Sequence, residues 1–300
     1  MLLGLLRRTV ASPLARFAVA GGAAALASAT AVADNQPQIA KKRIAVYGGS
    51  FNPITNAHLN CAAEIIHSRL ADEVWVVPCG PRPDKPSMKT SGLHRLIMCH
   101  LAVDTTFGSK FGVRVLDECI NFPQDMPSLV LMRRLQARYP RYEFTFVVGS
   151  DNVPSLHEWD AKGCDGCWDE IEDAGTKLVT EQNFLVISRP GTDVDLDTLP
   201  PNFQVIGAAL QSRDFRQAET LLSSSEVRHR ISGAGRSRVR APDDVVRYEL
   251  RRGAKAEPTR RAWYDDAEGL VPPSVLGHIV RYGLYARDDD PDPALAPKQA

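Results

Sequence analysis

The chain has 300 residues, with 36 Lys and Arg against 36 Asp and Glu and a formal net charge of +0, so no global positive field suits it to general nucleic-acid binding. Hydrophobic content of 44% and charged content of 24% are those of a globular protein able to bury a substantial core in one large or two smaller α/β domains. The six cysteines are scattered, and Cys61, Cys79, Cys99 and Cys119 fall inside apolar segments, which reads as buried free thiols in a reducing compartment rather than a disulfide framework.

Residues 1–40 read as a targeting or disordered extension. Arg7, Arg8 and Arg16 stand among many Ala and Ser, and no acidic residue precedes Asp34. The spaced arginines favour a mitochondrial presequence, while the apolar run Phe17 to Ala33 ending in Ala31-Val32-Ala33 also fits a secretory signal or a membrane tether; cytoplasm or nucleus remain the alternatives if the segment is a plain tail. Arg43 to Val46 is then a short apolar, β-branched run, and Leu59 to Leu70 repeats apolar residues at helical spacing. Tyr47 to His58 between them is a strand-to-helix turn. Gly48 and Gly49 let a ligand approach the backbone of that turn. Thr55 and His58 lie three residues apart on one face of a helix start, where free N–H groups and the helix dipole attract anions.

A glycine turn alone is common, but Gly49-Ser50-Phe51-Asn52-Pro53-Ile54-Thr55-Asn56-Ala57-His58 is specific. It resembles the first signature of the HIGH-motif nucleotidyltransferases, in the form found in the nicotinamide/nicotinate mononucleotide adenylyltransferases. Thr55 stands where many bacterial relatives carry the first His, and His58 matches the second.

Val74 to Pro78 reads as a second buried strand, followed by a polar proline-rich loop, Pro81 to Pro86, that carries Lys85. His94 to Val103 is helical by spacing, Val113 to Cys119 a strand, Leu129 to Tyr139 a helix, and Phe144 to Val148 a buried strand ending in Gly149-Ser150-Asp151-Asn152. Strands alternating with helices predict an α/β fold with a doubly wound, mostly parallel sheet, Rossmann-like, and sites at the strand C-termini. The segment Gly149 to Trp159 resembles the nucleotide-site segment of the same family. By itself Asp151 reads as a helix cap and Trp159 as a packed surface aromatic, and their position after a buried strand gives the nucleotide-site reading equal standing, with Trp168 the other indole that could face a pyridine ring. Cys164-Asp165-Gly166-Cys167 lacks a second CxxC, so it reads as an exposed loop with two thiols rather than a metal site.

Phe184 to Ile187 and Gln204 to Gly207 supply further strands. Ser223-Ser224-Ser225-Glu226-Val227-Arg228 follows, with hydroxyls, helix N-terminal amides and an arginine together, a combination suited to the outer phosphates of a nucleotide. It resembles the family's Ser-Ser-Thr-x-x-Arg motif, with Ser225 in place of Thr. An Arg-rich stretch at about 229–268 has the look of a solvated basic insertion, Val271-Pro272-Pro273 opens a C-terminal helix ending near Tyr285, and 286–300 is an acidic, proline-rich tail expected to be disordered.

The resemblance covers about residues 43–228 and 271–285. It implies a single domain over 41–285 that transfers the adenylyl group of ATP to nicotinamide or nicotinate mononucleotide. It further implies that His58 contacts the α/β phosphates, Arg228 with Ser223, Ser224 and Ser225 the β/γ phosphates, and Gly48, Gly49, Ser50 and Phe51 the mononucleotide. Lys85 reads as a phosphate ligand or a solvated side chain. Mg²⁺ arrives with ATP, and the partners are the two substrates, with neither nucleic acid nor membrane insertion of the mature domain, and monomer and homo-oligomer both open. The rivals are phosphopantetheine adenylyltransferase, disfavoured by chain length and the 149–159 segment, and a non-catalytic nucleotide-binding or chaperone-like module, disfavoured by the pairing of His58 with Arg228. A dinucleotide-binding dehydrogenase lacks its Gly-x-Gly-x-x-Gly after the first strand.

Overall fold

The computed structural model describes residues 40–82, 85, 88–189, 199–206, 223–232 and 266–286. The chain divides after Ala40, and every element below belongs to the unit Lys41–Ala300. The expected extension, the body of the basic insertion, the C-terminal tail, Gly207 and Leu222 lie outside the described residues.

Six strands form one parallel sheet in the order β3-β2-β1-β4-β5-β6: β1 Lys42–Gly49, β2 Glu73–Pro78, β3 Val113–Val115, β4 Tyr142–Gly149, β5 Asn183–Ile187 and β6 Phe203–Val205. The helices are α1 Asn56–His67, α2 Gly92–Thr106, α3 Ser128–Arg138, α4 Ala174–Glu181, α5 Ser224–Ile231 and α6 Pro273–Tyr282, with a 3₁₀ segment at Ser150–Glu158. The doubly wound, parallel α/β expectation is met, and the C-terminal helical segment is α6.

Period-two alternation in the strands sorts their side chains to two cores. Ala45 and Tyr47 of β1 face one core with Leu59 and Ile65 of α1, Met98 of α2, Val227 and Ile231 of α5, and Val275 and Ile279 of α6. Ile44 and Val46 face the other, with Leu129 and Leu135 of α3, Leu178 of α4 and Phe144 and Phe146 of β4. The sheet is thus covered on both faces, as parallel sheets require.

The expected strand Val113 to Cys119 is shorter than predicted. Among the described residues edge strand β3 pairs with β2 alone, one further bond from Leu116 N–H to the Val76 carbonyl carries the chain on, and Ile120 N–H to Asp117 C=O then turns it away. The expected strand over Gln204 to Gly207 starts at Phe203 and ends at Val205. Cys61, Cys99 and Cys119 are buried free thiols and Cys79 is half-buried, whereas Cys164 and Cys167, expected as two thiols, are joined in a disulfide. Among the described residues no helix is long and apolar enough to cross a membrane.

Candidate active site

Strand order reverses between β1 and β4, and at such a switch point the loops leaving the strand C-termini part to leave a crevice. A cavity of about 550 Å³ lies there, lined by Gly48 to Asn52, Thr55, His58, Lys85, Ser223 to Ser225 and Arg228, together with Tyr47, Met88, Ile187 and Arg189. The turn after β1 and the serine segment, more than a hundred and sixty residues apart in sequence, therefore share one space. Two helix N-termini, those of α1 and α5, open on it, and each brings the positive end of a helix dipole.

Thr55 caps α1. Its backbone N–H donates to His58 Nδ1 at 3.0 Å, and its hydroxyl lies 2.8 Å from the same nitrogen. A ring nitrogen that accepts an N–H carries no proton, so His58 is the tautomer protonated at Nε2. Burial, then the nearby Arg189 charge, pushes the His58 pKa down to about 3. The imidazole is neutral across the physiological range, and it is an N–H donor at Nε2.

The α5 end is fixed with equal care. Ser223 Oγ accepts from Glu226 N–H at 3.1 Å, Ser224 Oγ donates to the Pro53 carbonyl at 2.7 Å, and Arg228 donates to the Asn52 carbonyl at 2.6 Å and to Ser225 Oγ at 3.1 Å. The serines thus act as caps and as tethers between α5 and the glycine turn. Burial lowers the Arg228 pKa, against an opposing effect of Tyr285, but a guanidinium remains charged at any ordinary pH. Phe51 adopts φ +43°, in the left-handed region, and the Asn52–Pro53 peptide is cis. Asn52, 4% exposed, accepts a 2.9 Å hydrogen bond from Tyr285, whose phenol is pushed up chiefly by its burial. The C-terminal segment closes on α1 as well: Asn56 N–H reaches the Leu270 carbonyl at 2.9 Å, and its side chain reaches Gly269 at 2.8 Å.

Gly48 to Phe51, Thr55, His58, Lys85, Ser223 to Ser225 and Arg228 are therefore brought together, while three other expected site residues stand outside the cavity wall. Asp151 is joined to it through Arg189, by a 3.3 Å ion pair. Gly149 packs against both, in space that a Cβ would fill. Trp159 is half-buried in the α3/α4 core, edge-on to Phe146 at 6.5 Å. It still lies near the turn at one remove, since the Phe146 ring would sit 3.3 Å from a Cβ on Gly48. Trp168 packs edge-on against Phe122 at 5.3 Å.

Residues 46–230 match the cytidylyltransferase-like family. A protein of Bacteroides fragilis named "Probable nicotinate-nucleotide adenylyltransferase" is 30% identical over 213 residues, which are 69% of this chain and 96% of the relative. The chain belongs to the mononucleotide adenylyltransferase branch of that family. The Bacillus subtilis protein named "Nicotinate-nucleotide adenylyltransferase" is 26% identical over 180 residues, 57% of this chain and 85% of its own. The Plasmodium falciparum nicotinic acid mononucleotide adenylyltransferase, solved in complex with NaAD, superposes with a TM-score of 0.58 at 25% identity, covering 81% of this chain and 97% of that one.

Within this adenylyltransferase, Asn52, Arg189 and Tyr285 are site-building residues to which the motifs alone assign no role. Arg189 had a sequence signal, a basic residue two positions after a buried strand. Asn52 and Tyr285 meet across 233 positions, and nothing local marks that.

Proposed function

We propose that this chain transfers the adenylyl group of ATP to the 5′-phosphate of a pyridine mononucleotide. An oxygen of that phosphate forms a bond to the α-phosphorus, the bond from the α-phosphorus to its bridging oxygen breaks in line, and pyrophosphate leaves carrying the electron pair. The products are a dinucleotide of the NAD type and pyrophosphate. One observation carries the reading: a neutral His58 with a fixed Nε2–H, the Arg228 guanidinium and two helix N-termini converge on a single cavity with the glycine turn.

The reaction asks little covalent chemistry of the protein. It needs the two phosphates held in line and charge neutralised where it builds up. His58 Nε2–H supplies a donor to the α/β phosphate oxygens, and it does so at constant strength because the ring does not titrate near neutrality. Arg228, Ser223 to Ser225 and the α5 N-terminus offer charge and donors to the β/γ phosphates. The Gly48 to Phe51 backbone takes the mononucleotide, and Lys85 adds a cation at the rim. No carboxylate lines the cavity among the described residues. A magnesium ion accompanying ATP would be held by phosphate oxygens and water and would lower the charge of the triphosphate. The names of the relatives favour nicotinate as the base of the acceptor.

Pyrophosphate release from ATP tests this, measured with nicotinate mononucleotide, nicotinamide mononucleotide and phosphopantetheine in turn. Turnover with a pyridine mononucleotide is expected; turnover with phosphopantetheine alone, or with none of the three, refutes the proposal.

A further inference from the structure

The glycine turn and the loop leaving β2 are held from below by one side chain. Arg95, in the first turns of α2, is 1% exposed. One terminal nitrogen donates to the Ser50 carbonyl at 2.8 Å and lies 3.4 Å from Cys79 Sγ, while the other donates to the carbonyls of Cys79 at 2.7 Å and Gly80 at 3.1 Å. Among the described residues no carboxylate forms an ion pair with it, and its Nε is buried with no partner. A buried guanidinium held by carbonyls and a thiol, with Asp125 acting on it without a direct ion pair, is costly, and the fold places it beneath the residues that face the cavity.

The geometry of a trans peptide says what this anchorage does. In such a unit the C=O and the N–H of the next residue point in opposite directions. Drawing the Ser50 carbonyl down onto Arg95 turns the Phe51 N–H the other way. Of the three anchored carbonyls, Ser50 alone precedes an N–H that has no partner among the described residues. The N–H after Cys79, that of Gly80, is bound to Asp125 Oδ1 at 2.8 Å, and Gly80 precedes Pro81, which has none. Phe51 itself lines the cavity at φ +43°, a backbone conformation that a non-glycine residue keeps only when its surroundings enforce it.

We infer that Arg95 is a positioning residue: it fixes the Ser50–Phe51 peptide so that the Phe51 N–H donates to the phosphate of the acceptor mononucleotide. This rests on the adenylyl-transfer reading of the cavity and names the residue that aligns its acceptor side.

The experiment compares full-length Arg95→Met and Arg95→Lys with the wild-type protein, by separate KM determinations for ATP and for nicotinate mononucleotide and by thermal melting. Arg95→Met is expected to raise the mononucleotide KM about tenfold or more while the ATP KM stays within about twofold, and Arg95→Lys, which keeps the charge but cannot span both loops, is expected to fall between. Equal changes in the two KM values, or none in a folded variant, overturn the inference. Because a variant of so buried a residue can fail to fold, the wild-type Phe51 amide is also followed by NMR. It should move downfield on adding nicotinate mononucleotide without ATP, and an unmoved Phe51 amide with saturating mononucleotide overturns the inference too. Wild-type turnover is measured first, so a failure of the adenylyl-transfer reading shows there, whereas the amide shift reports on binding alone.

Discussion

His58→Asn separates the two roles of this side chain, and the pH dependence of stability is where they part. Burial, with Arg189 second, pushes the His58 pKa from its ordinary 6.5 down to about 3. The unfolded chain takes up a proton near pH 6.5 that the folded protein refuses until about pH 3. Through that window the unfolded state binds more protons, so stability is full above the window and falls as pH drops through it. Between pH 7 and pH 5 the loss amounts to about 2 kcal/mol, or roughly 4–8 °C in Tm for a domain of this size. His58→Asn presents a carbonyl oxygen where Nδ1 accepts the Thr55 N–H, and it does not titrate. His278, also lowered by burial, His94 and Arg281, is common to both proteins and cancels. Urea denaturation followed by circular dichroism at the two pH values should show the variant losing about 2 kcal/mol less than the wild-type protein. Parallel losses would refute the neutral imidazole of the folded protein. The variant also lacks the Nε2–H donor, so its kcat should fall about 10²-fold or more; a folded variant with near-wild-type kcat removes His58 from the chemistry.

Three further outcomes are expected. Arg228→Met should lower kcat by about 10²-fold or more and raise the ATP KM, since it removes a charge facing the leaving phosphates; unchanged steady-state kinetics with a native melting curve would count against that role. Trp159→Ala distinguishes a ring on the pyridine from a scaffold residue: a several-fold rise in mononucleotide KM alone supports stacking, whereas a loss of about 3 kcal/mol or more in stability with both substrates equally impaired assigns it to the α3/α4 core. A chain beginning at Gln36 should fold and turn over at the wild-type rate, and residues 1–35 fused to a fluorescent protein should direct it to mitochondria; an insoluble truncated protein would make the segment part of the domain, and diffuse or secreted fluorescence would refute the mitochondrial reading.

What could be read from the sequence follows from how local each signal is. The β1–turn–α1 unit was legible because a β-branched run, two glycines and helical spacing succeed one another within 28 residues, Lys42 to Arg69. The 3₁₀ segment over Ser150–Glu158 carries Pro154 in its middle, a residue that argues against a helix when read from sequence. The short helix α4 escaped notice because Gly175 and two threonines weaken its propensity, and it starts from Asp173 in a left-handed conformation. The motif residues His58 and Arg228 were visible, but the bonds that set their chemistry were only partly so. Thr55 and His58 are three residues apart, a spacing that implies the cap, whereas Arg228 reaches back 176 positions to Asn52. Trp159 was placed by its position after a strand end, yet side-chain packing against Phe146, which no sequence period encodes, decides where its ring lies. Arg95 sits in a regular amphipathic helix, and its burial under the two loops becomes evident once β1 and β2 are seen to run parallel and in register.

The central claim is that the cavity at the β1/β4 switch point joins ATP to a pyridine mononucleotide, and its most direct measurement is product analysis. The full chain is incubated with MgATP and nicotinate mononucleotide, and dinucleotide and pyrophosphate are quantified together, with His58→Asn as the control. The two products are expected in equal amounts from the wild-type protein, with the control slowed by about 10²-fold or more. Pyrophosphate without dinucleotide, or dinucleotide formed equally fast by the control, would contradict it.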